Sequence, residues 1–452
     1  MQLPQDFLDA TRLLMGDCRF ERYLKSFQEE APVSIRLNPL KTAGWHVPGG
    51  EPVPWCAEGF YLRQRPQFTM DPLLHAGCYY VQEAASMFVA HILRQLFSPH
   101  PSCVPSVASE QSPGAPLTFH QTILDLCAAP GGKSTAAAGV LPAGSTLYSN
   151  EVDRRRASIL LENITKWGFT GSIVTNSRTD DYRHAGLTFD VVLCDVPCSG
   201  EGLFRRDHAT IGEWSLQQVE RCRQLQRQIA DDAWQCLKPG GILIYSTCTF
   251  NVRENEENVC WMLSRFGDAE LVPVATEPGW HITGSLMPGF SGPVFRFIPG
   301  ITRSEGLFVA VLRKTATEGC GGGGTRHKAK TPKGRKVLNI LTPPIDPSAG
   351  RHLPGVRQAA DGHPAGHADP PAEEQGAGVC NVSYAQAIAY LRGEALTLPA
   401  DVARGPVTIA FMGHPLGPAK NIGTRANNLY PKEWRIKTTH VAQDYEPVLA
   451  KT

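Results

Sequence analysis

The chain has 452 residues, 42% of them hydrophobic, and a formal net charge of +1. That length is too great for one ordinary core and predicts two or three domains, while the balanced charge excludes a protein that holds nucleic acid by an overall basic field and leaves only a local basic surface open. No apolar run is long enough to span a membrane, and Asp6 and Asp9 interrupt the stretch where a signal peptide needs an apolar core, so a soluble, cytoplasmic protein with no membrane partner is expected.

In chain order, residues 1–70 contain "VSIRLNPLK" and read as a small accessory domain. The legible region is 71–314. "TILDLCAAPGG" predicts a buried strand that breaks at a Pro-Gly-Gly turn, and "STLYSNEVD" a second strand that ends on an acid. "RRRASILLENITKWG" predicts a helix, since Ala157, Leu160, Leu161, Ile164 and Trp167 recur every three or four residues. "GSIVTN" is a short strand, and "FDVVLCDVP" a continuous apolar one of the kind buried in parallel sheets. A long helix follows from Trp214 to Leu237, with Leu216, Val219, Cys222, Leu225, Ile229 and Ala233 on its apolar face. "KPGG" closes it; "ILIYSTC" is the next strand, and "GLFVAVLRK" a last one at the end of the sheet. Strands alternating with helices predict a doubly wound α/β sheet, in which ligands sit beyond the carboxyl ends of the strands. Cys127, Glu151, Asn176, Asp195 and Cys248 all fall at such ends, with Cys198 in the following loop.

Two stretches interrupt this pattern. Ser98–Pro116 is Pro/Ser-rich and reads as an insertion. Residues 315–378 are dominated by Gly, Pro, Ala and charge and read as a flexible linker, whose basic run "RHKAKTPKGRK" is either a solubilising segment or a phosphate-contacting arm. Beyond it, residues 379–452 regain apolar patterning: "YAQAIAYLRG" is helical and "PVTIAFMG" a strand. There "KNIGTRANNLYPKEWRIK" combines cations with Tyr and Trp, a mixture suited to phosphate contacts and base stacking.

"CAAPGGKST" suggests a phosphate loop at first, but Cys127 stands where that motif needs a glycine. The alternative is a strand-to-helix turn whose Gly131 and Gly132 let the backbone approach a ligand, with Glu151 placed to meet ribose hydroxyls. Asp125 either orients this loop or contacts the ligand. The 13 cysteines are odd in number and include no CxxC pair and no Cys/His cluster at zinc spacing, which predicts thiols rather than disulfides and no metal. Cys194 and Cys236, within apolar stretches, read as core. Cys198 and Cys248 lie in "PCSG" and "STC" turns at one sheet edge, which sets them apart as chemistry. Glu254, Glu256 and Glu257 read as a solvated helix start; Arg205 and Arg206 as surface charge or RNA contacts.

"DLCAAPGGKST", "DVPCSGEG" and "YSTCTFNVRENE", in this order and on these strands, closely resemble the motifs of the Sun-type RNA cytosine-5-methyltransferases, in particular the bacterial small-subunit rRNA enzymes of the RsmF branch. "YYVQEAASM" and "SIRLNPLK" are similar to further family segments, and "NNLYPKEWRI" resembles the PUA-like RNA-binding tail of that branch. The resemblance implies a Rossmann-like methyltransferase domain, S-adenosylmethionine as cofactor and RNA as partner, ribosomal before transfer RNA, with the protein acting as a monomer. It assigns the cofactor to Cys127, Ala128, Ala129, Pro130, Gly131, Gly132 and Lys133, with Glu151 on the ribose, Asn176 on the adenine side and Asp195 completing the pocket. It also implies the division of labour: Cys248 attacks, Cys198 assists release, and Asp195 and Lys133 contact the pyrimidine. The residues alone say only that both thiols are at the site. Two other classes compete: an RNA-binding assembly factor that has lost activity, and a DNA methyltransferase, which would attack from Cys198.

Overall fold

The computed structural model describes residues 3–97, 120–315, 337–341, 378–438 and 445–452. The Ser98–Pro116 insertion and the basic run of the linker lie outside them. The chain divides into two compact units: residues 1–66, 77–341 and 448–452 form the first, residues 67–76 and 342–447 the second.

The first unit begins with helices α1 (Gln5–Met15) and α2 (Asp17–Ser26), which meet at Gly16 (φ 71°). Their Phe7 and Tyr23 pack edge-on against Phe204, Trp214 and Phe250, so the amino-terminal helices are anchored on the loops that follow two strands of the main sheet. Strands β1 (Val33–Leu37), β2 (Trp45–His46), β3 (Glu51–Val53) and β4 (Cys56–Leu62) follow. After α3 (Pro72–His75), which belongs to the second unit, comes β5 (Tyr79–Val81), which completes a sheet of order β3-β4-β1-β5.

Helix α4 (Phe88–Phe97) leads towards the main sheet, whose elements are β6 (Thr122–Asp125), α5 (Gly132–Ala138), β7 (Thr146–Asn150), α6 (Arg154–Trp167), β8 (Ser172–Thr175), α7 (Thr179–Ala185) and β9 (Phe189–Asp195). Then come α8 (Ala209–Glu213), α9 (Leu216–Gln235), β10 (Leu237–Thr247), α10 (Glu256–Arg265), β11 (Ala269–Leu271), β12 (Val294–Phe297) and β13 (Leu307–Lys314). With β14 (Ile340–Leu341) at one edge, the order is β11-β13-β10-β9-β6-β7-β8-β14, and β12 pairs with β13. Strands β6 to β10 are parallel and β13 runs antiparallel to β10. Their alternate side chains feed two apolar cores, one on each face: Ile123, Val191, Leu193 and Ile244 on one side, Leu124, Val192, Leu243 and Tyr245 on the other. This is the expected doubly wound α/β sheet.

Four details differ from the expectations. Strand β13 is not terminal, because β11 and β12 lie beyond it. The "KPGG" stretch falls inside β10 as a register shift between Leu237 and Ile242. On α9, Leu216 and Leu225 are 44% and 43% exposed; the buried face runs through Val219, Cys222, Gln226, Ile229 and Ala233, so a glutamine takes the interior position expected for a leucine. Within the stretch read as linker, β14 (Ile340–Leu341) adds antiparallel to β8. Asn339 C=O accepts the Asn176 N–H at 2.9 Å, which covers backbone groups at that edge.

The second unit holds β15 (Gly378–Asn381), α11 (Tyr384–Leu391), β16 (Gly405–Phe411), β17 (His414–Asn421) and β18 (Ala426–Asn428) in one four-stranded sheet. Ser383 caps α11 reciprocally with Gln386. Tyr430, expected as a stacking residue, is 3% exposed and packs against Tyr390, while Lys420, Arg425 and Lys432 face solvent. Strand β19 (Ala450–Lys451) returns to the first unit and pairs with β2. No helix among the described residues is long and apolar enough to cross a membrane.

Candidate active site

The strands of the main sheet end side by side, and the residues singled out in the sequence stand at those ends. The turn after β6 places Gly131 at φ 113°, a conformation open to glycine, where a Cβ would come within 3.2 Å of Leu160. Asp125 is fully buried; Ser134 donates to it at 2.6 Å and Ser149 donates to Ser134 at 2.9 Å. Of the two roles left open for Asp125, these bonds support that of orienting the loop. Burial, with Asp195 adding to it, pushes the Asp125 carboxyl up to about 7. Cys127 is intermediate in exposure, and burial pushes its thiol upward, which leaves it an inert wall of the turn.

Beside this turn, Glu151 follows β7 with 3% exposure. Its carboxylate accepts the Asp153 N–H at 2.9 Å and pairs with Arg156 at 3.2 Å, and Arg156 also donates to the Ala129 carbonyl at 2.8 Å. Arg156 therefore ties the acid to the glycine turn, and each Glu151 oxygen keeps a lone pair for a hydroxyl donor. A buried acid next to a backbone that only glycine can form suits the ribose and methionine portions of a nucleoside cofactor. The Asn176 amide donates to the carbonyls of Glu151 and Val152 at 2.7 and 2.9 Å, so its hydrogens brace the backbone and its oxygen is the group left for an adenine.

From the first turn of α5, Lys133 reaches Asp195 at 2.8 Å, and Ser246 of β10 donates to the other Asp195 oxygen at 2.7 Å. Lys133 lines a small cavity with Val89, Ile92, Leu193, Ile244 and Leu307, apolar side chains beside which its charge is weakly screened. Burial opposes the Lys133 ammonium, but the Asp195 charge and hydrogen bond, with Asp125 and Cys248, outweigh it and raise its pKa.

The two cysteines meet next to this pair. Their sulfurs are 2.9 Å apart, and the Cys248 N–H points at the Cys198 sulfur at 3.3 Å. Both are free thiols of intermediate exposure. The hydrogen bond to Cys248 and burial push the Cys198 thiol well up, which favours its protonated form.

Two buried acids hold this juxtaposition: Glu201, which the sequence reading passed over, and Glu254, which it placed in solvent. Glu201 accepts the N–H groups of Phe250 and Asn251 at 2.7 and 3.0 Å and the Trp214 indole at 3.0 Å. Glu254 accepts the Ser199 N–H at 3.1 Å, Gln226 at 2.6 Å and Asn251 at 2.8 Å. The expected solvated helix start is therefore wrong for two of its three acids. Glu254 and Glu256 are 0% exposed, and Glu256 forms an ion pair with Arg296, itself 1% exposed. Interior partners on other elements draw them in, and no local spacing reports that. Arg205 also departs from both of its readings: its side chain is 7% exposed and faces Glu305 at 3.8 Å, while Arg206 is exposed. Arg36 of "SIRLNPLK" is buried as well. It donates to Gln82 at 2.7 Å and to Thr135 of α5 at 2.6 Å, which clamps the helix that carries Lys133.

A glycine-turn α/β sheet with a thiol pair and an acid–lysine pair at its carboxyl edge is the architecture of a methyltransferase. It is similar to a methyltransferase homolog protein from Pyrococcus horikoshii, at 27% identity and a TM-score of 0.50 over 69% of this chain and 100% of that one. It also shares the fold of NSun6 from the same organism, solved with SFG, at 20% identity and a TM-score of 0.54 over 69% of this chain and 98% of that one. Family models match in chain order: the N-terminal domain of 16S rRNA methyltransferase RsmF over residues 3–84, 16S rRNA methyltransferase RsmB/F over 116–313, and the methyltransferase RsmF PUA domain over 378–436. Ribosomal RNA small subunit methyltransferase F of Serratia proteamaculans is 31% identical over 79% of this chain and 70% of that protein. The Pectobacterium atrosepticum protein of the same name is 34% identical over 70% of this chain and 63% of its own length, and that of Citrobacter koseri 29% identical over 95% and 96%. The chain belongs to the RsmF family of small-subunit rRNA methyltransferases.

Proposed function

We propose that this protein methylates carbon 5 of a cytosine in small-subunit ribosomal RNA, with S-adenosylmethionine as methyl donor, as a cytoplasmic monomer. The observation that carries the reading is the pair of sulfurs 2.9 Å apart beside the Lys133–Asp195 ion pair. When bound, the cofactor supplies an electrophilic methyl group; the 127–133 turn and Glu151 would hold it, with Asn176 towards the adenine.

Carbon 5 of cytosine is too poor a nucleophile to take a methyl group unaided. The Cys248 thiolate forms a bond to carbon 6, and the displaced pair makes carbon 5 nucleophilic. Negative charge then builds on the pyrimidine. The Lys133–Asp195 pair is positioned to offset it by hydrogen bonding near N3, in a setting where such bonds are strong. After methylation, the carbon 5 proton leaves to solvent or another base, the carbon 5–carbon 6 double bond re-forms, and the carbon 6–sulfur pair returns to Cys248. The Cys198 S–H, directed at that sulfur, stabilises the departing thiolate. The target base has to leave its stack to reach these thiols.

The test is methyl transfer to unmodified small-subunit rRNA by the wild type beside Cys248→Ala and Cys198→Ala. Transfer by the wild type and none by Cys248→Ala is the expected result, with Cys198→Ala accumulating a denaturation-resistant RNA adduct. A wild type that binds RNA and cofactor without transfer, or an adduct that needs Cys198 rather than Cys248, overturns the reading.

A further inference from the structure

Glu254 is the buried acid nearest in sequence to Cys248 and the one whose bonds reach both cysteine loops. One oxygen accepts the N–H of Ser199, the residue after Cys198, at 3.1 Å, and the Gln226 amide of α9 at 2.6 Å. The other accepts Asn251 at 2.8 Å, and that amide also reaches Thr249, the residue after Cys248, at 2.9 Å. Gln226 itself donates to the Pro197 carbonyl at 2.9 Å, which closes the frame around Cys198 from the helix side. With the carboxyl group 0% exposed, no water competes for these bonds. Bonded to the residue after Cys198, the Glu254 charge also adds to the upward push on the Cys198 thiol.

We infer that Glu254 is the positioning residue of the release step: its buried carboxylate holds Cys198 against Cys248 and keeps the proton on Cys198, so that Cys248 is the sulfur that carries negative charge. This rests on the reading of Cys198 as the release residue. The physical reason is like-charge repulsion. A Cys198 thiolate would stand close to a carboxylate that is itself shut away from water, whereas a Cys248 thiolate has the Cys198 S–H and the Lys133 ammonium nearby. The groups that face this cluster are Glu201 from the loop after β9, Cys222 from α9, Tyr245 from β10, and Cys248 itself. These are all acids; of the cations, Arg221 of α9 acts on Cys222 and Lys133 on the Cys248 side. Burial, then Glu201, push Glu254 up to about 7, so its charge is present above neutrality and fades below it.

The experiment reads Cys198 without RNA or cofactor. In a Cys248→Ala background, iodoacetamide labelling of the Cys198 peptide is followed by mass spectrometry from pH 6 to 10, with and without Glu254→Gln. Removing the charge is expected to lower the labelling midpoint by about one pH unit or more. Glu254→Asp, which keeps the charge, is expected to restore most of it. In otherwise wild-type protein, Glu254→Gln should prolong the lifetime of the RNA adduct, an effect that grows with pH as Cys198 loses its proton. An unchanged midpoint in a folded Glu254→Gln protein overturns the inference. Should that variant fail to fold, Gln226→Met, which removes the shortest hydrogen bond to the Glu254 charge, has to lower the midpoint in the same sense, and no change there overturns it equally. Failure of methyl transfer by the wild type would sink the functional reading and leave the labelling result standing, so the two are separable.

Discussion

At the scale of single residues, the proposed mechanism depends on which of two touching thiols keeps its proton. The bond to Cys248 and burial push the Cys198 thiol up, and the Asp195 charge keeps Lys133 an ammonium. Lys133→Ala should therefore remove stabilisation of charge on the pyrimidine. A fall in the rate of methyl transfer of about 100-fold is expected, checked by single-turnover kinetics. Buried acids also set how stability responds to pH. Asp125, Glu254 and Glu305 are pushed by burial from ordinary carboxyl values to about 7. The folded state thus binds more protons than the unfolded one between pH 4 and 7, and these groups favour folding below that window and lose that contribution as pH rises through it. Thermal denaturation from pH 5 to 8 should show that decline, and Asp125→Asn should flatten it. A slope unchanged by the substitution would remove Asp125 from the account.

At the scale of elements, the site is made by loops that brace one another rather than by the strands alone. Gly202, in the turn after Cys198, donates its N–H to the Cys248 carbonyl at 2.7 Å. A Cβ there would lie 2.5 Å from that oxygen and 2.8 Å from the Gly306 Cα. Gly202→Ala is expected to cost about 1–3 kcal/mol in stability and to displace the nucleophile. Adduct formation should fall while cofactor binding stays near wild type; equal losses in both would count against the placement. The ion pair of Glu256 on α10 and Arg296 on β12 is a second brace, since Arg296 also donates to the Phe250 carbonyl at 2.7 Å, two residues past Cys248. Glu256→Gln leaves a buried guanidinium without its charge partner, and a loss of about 3–5 kcal/mol by chemical denaturation is expected.

At the scale of the whole molecule, the candidate site lies in the first unit and the stretch matched by the RsmF PUA-domain model in the second, and each unit has a sheet of its own. In the second unit Lys420, Arg425 and Lys432 face solvent, whereas the tyrosine expected to stack on bases is interior. On the proposed function these cations meet phosphates and read no sequence. Replacing all three by alanine should weaken RNA binding and reduce the slope of log K against log salt by about 2 to 3. An unchanged slope would exclude them from the interface.

What was legible in the sequence was local and periodic. Continuous apolar runs marked the parallel strands, the glycine turn marked the ligand end, and the two cysteines, Asp195, Lys133 and Glu151 fell where strand ends had to be. Those features follow from hydrophobic periodicity and from φ angles that only glycine reaches, both written in neighbouring residues. Tertiary structure alone decided which polar groups are interior. Glu201, Glu254, Glu256, Arg205, Arg36 and Gln226 carry the sequence appearance of surface residues. Each is buried because its partner lies on another element, from Glu201 with the N–H groups of Phe250 and Asn251 to Arg36 with Gln82 and Thr135. A charged side chain enters an interior only where a counter-charge or hydrogen bonds await it. That condition is set by how the chain packs, and it is why the thiols could be found from the sequence while the frame that holds them 2.9 Å apart could not.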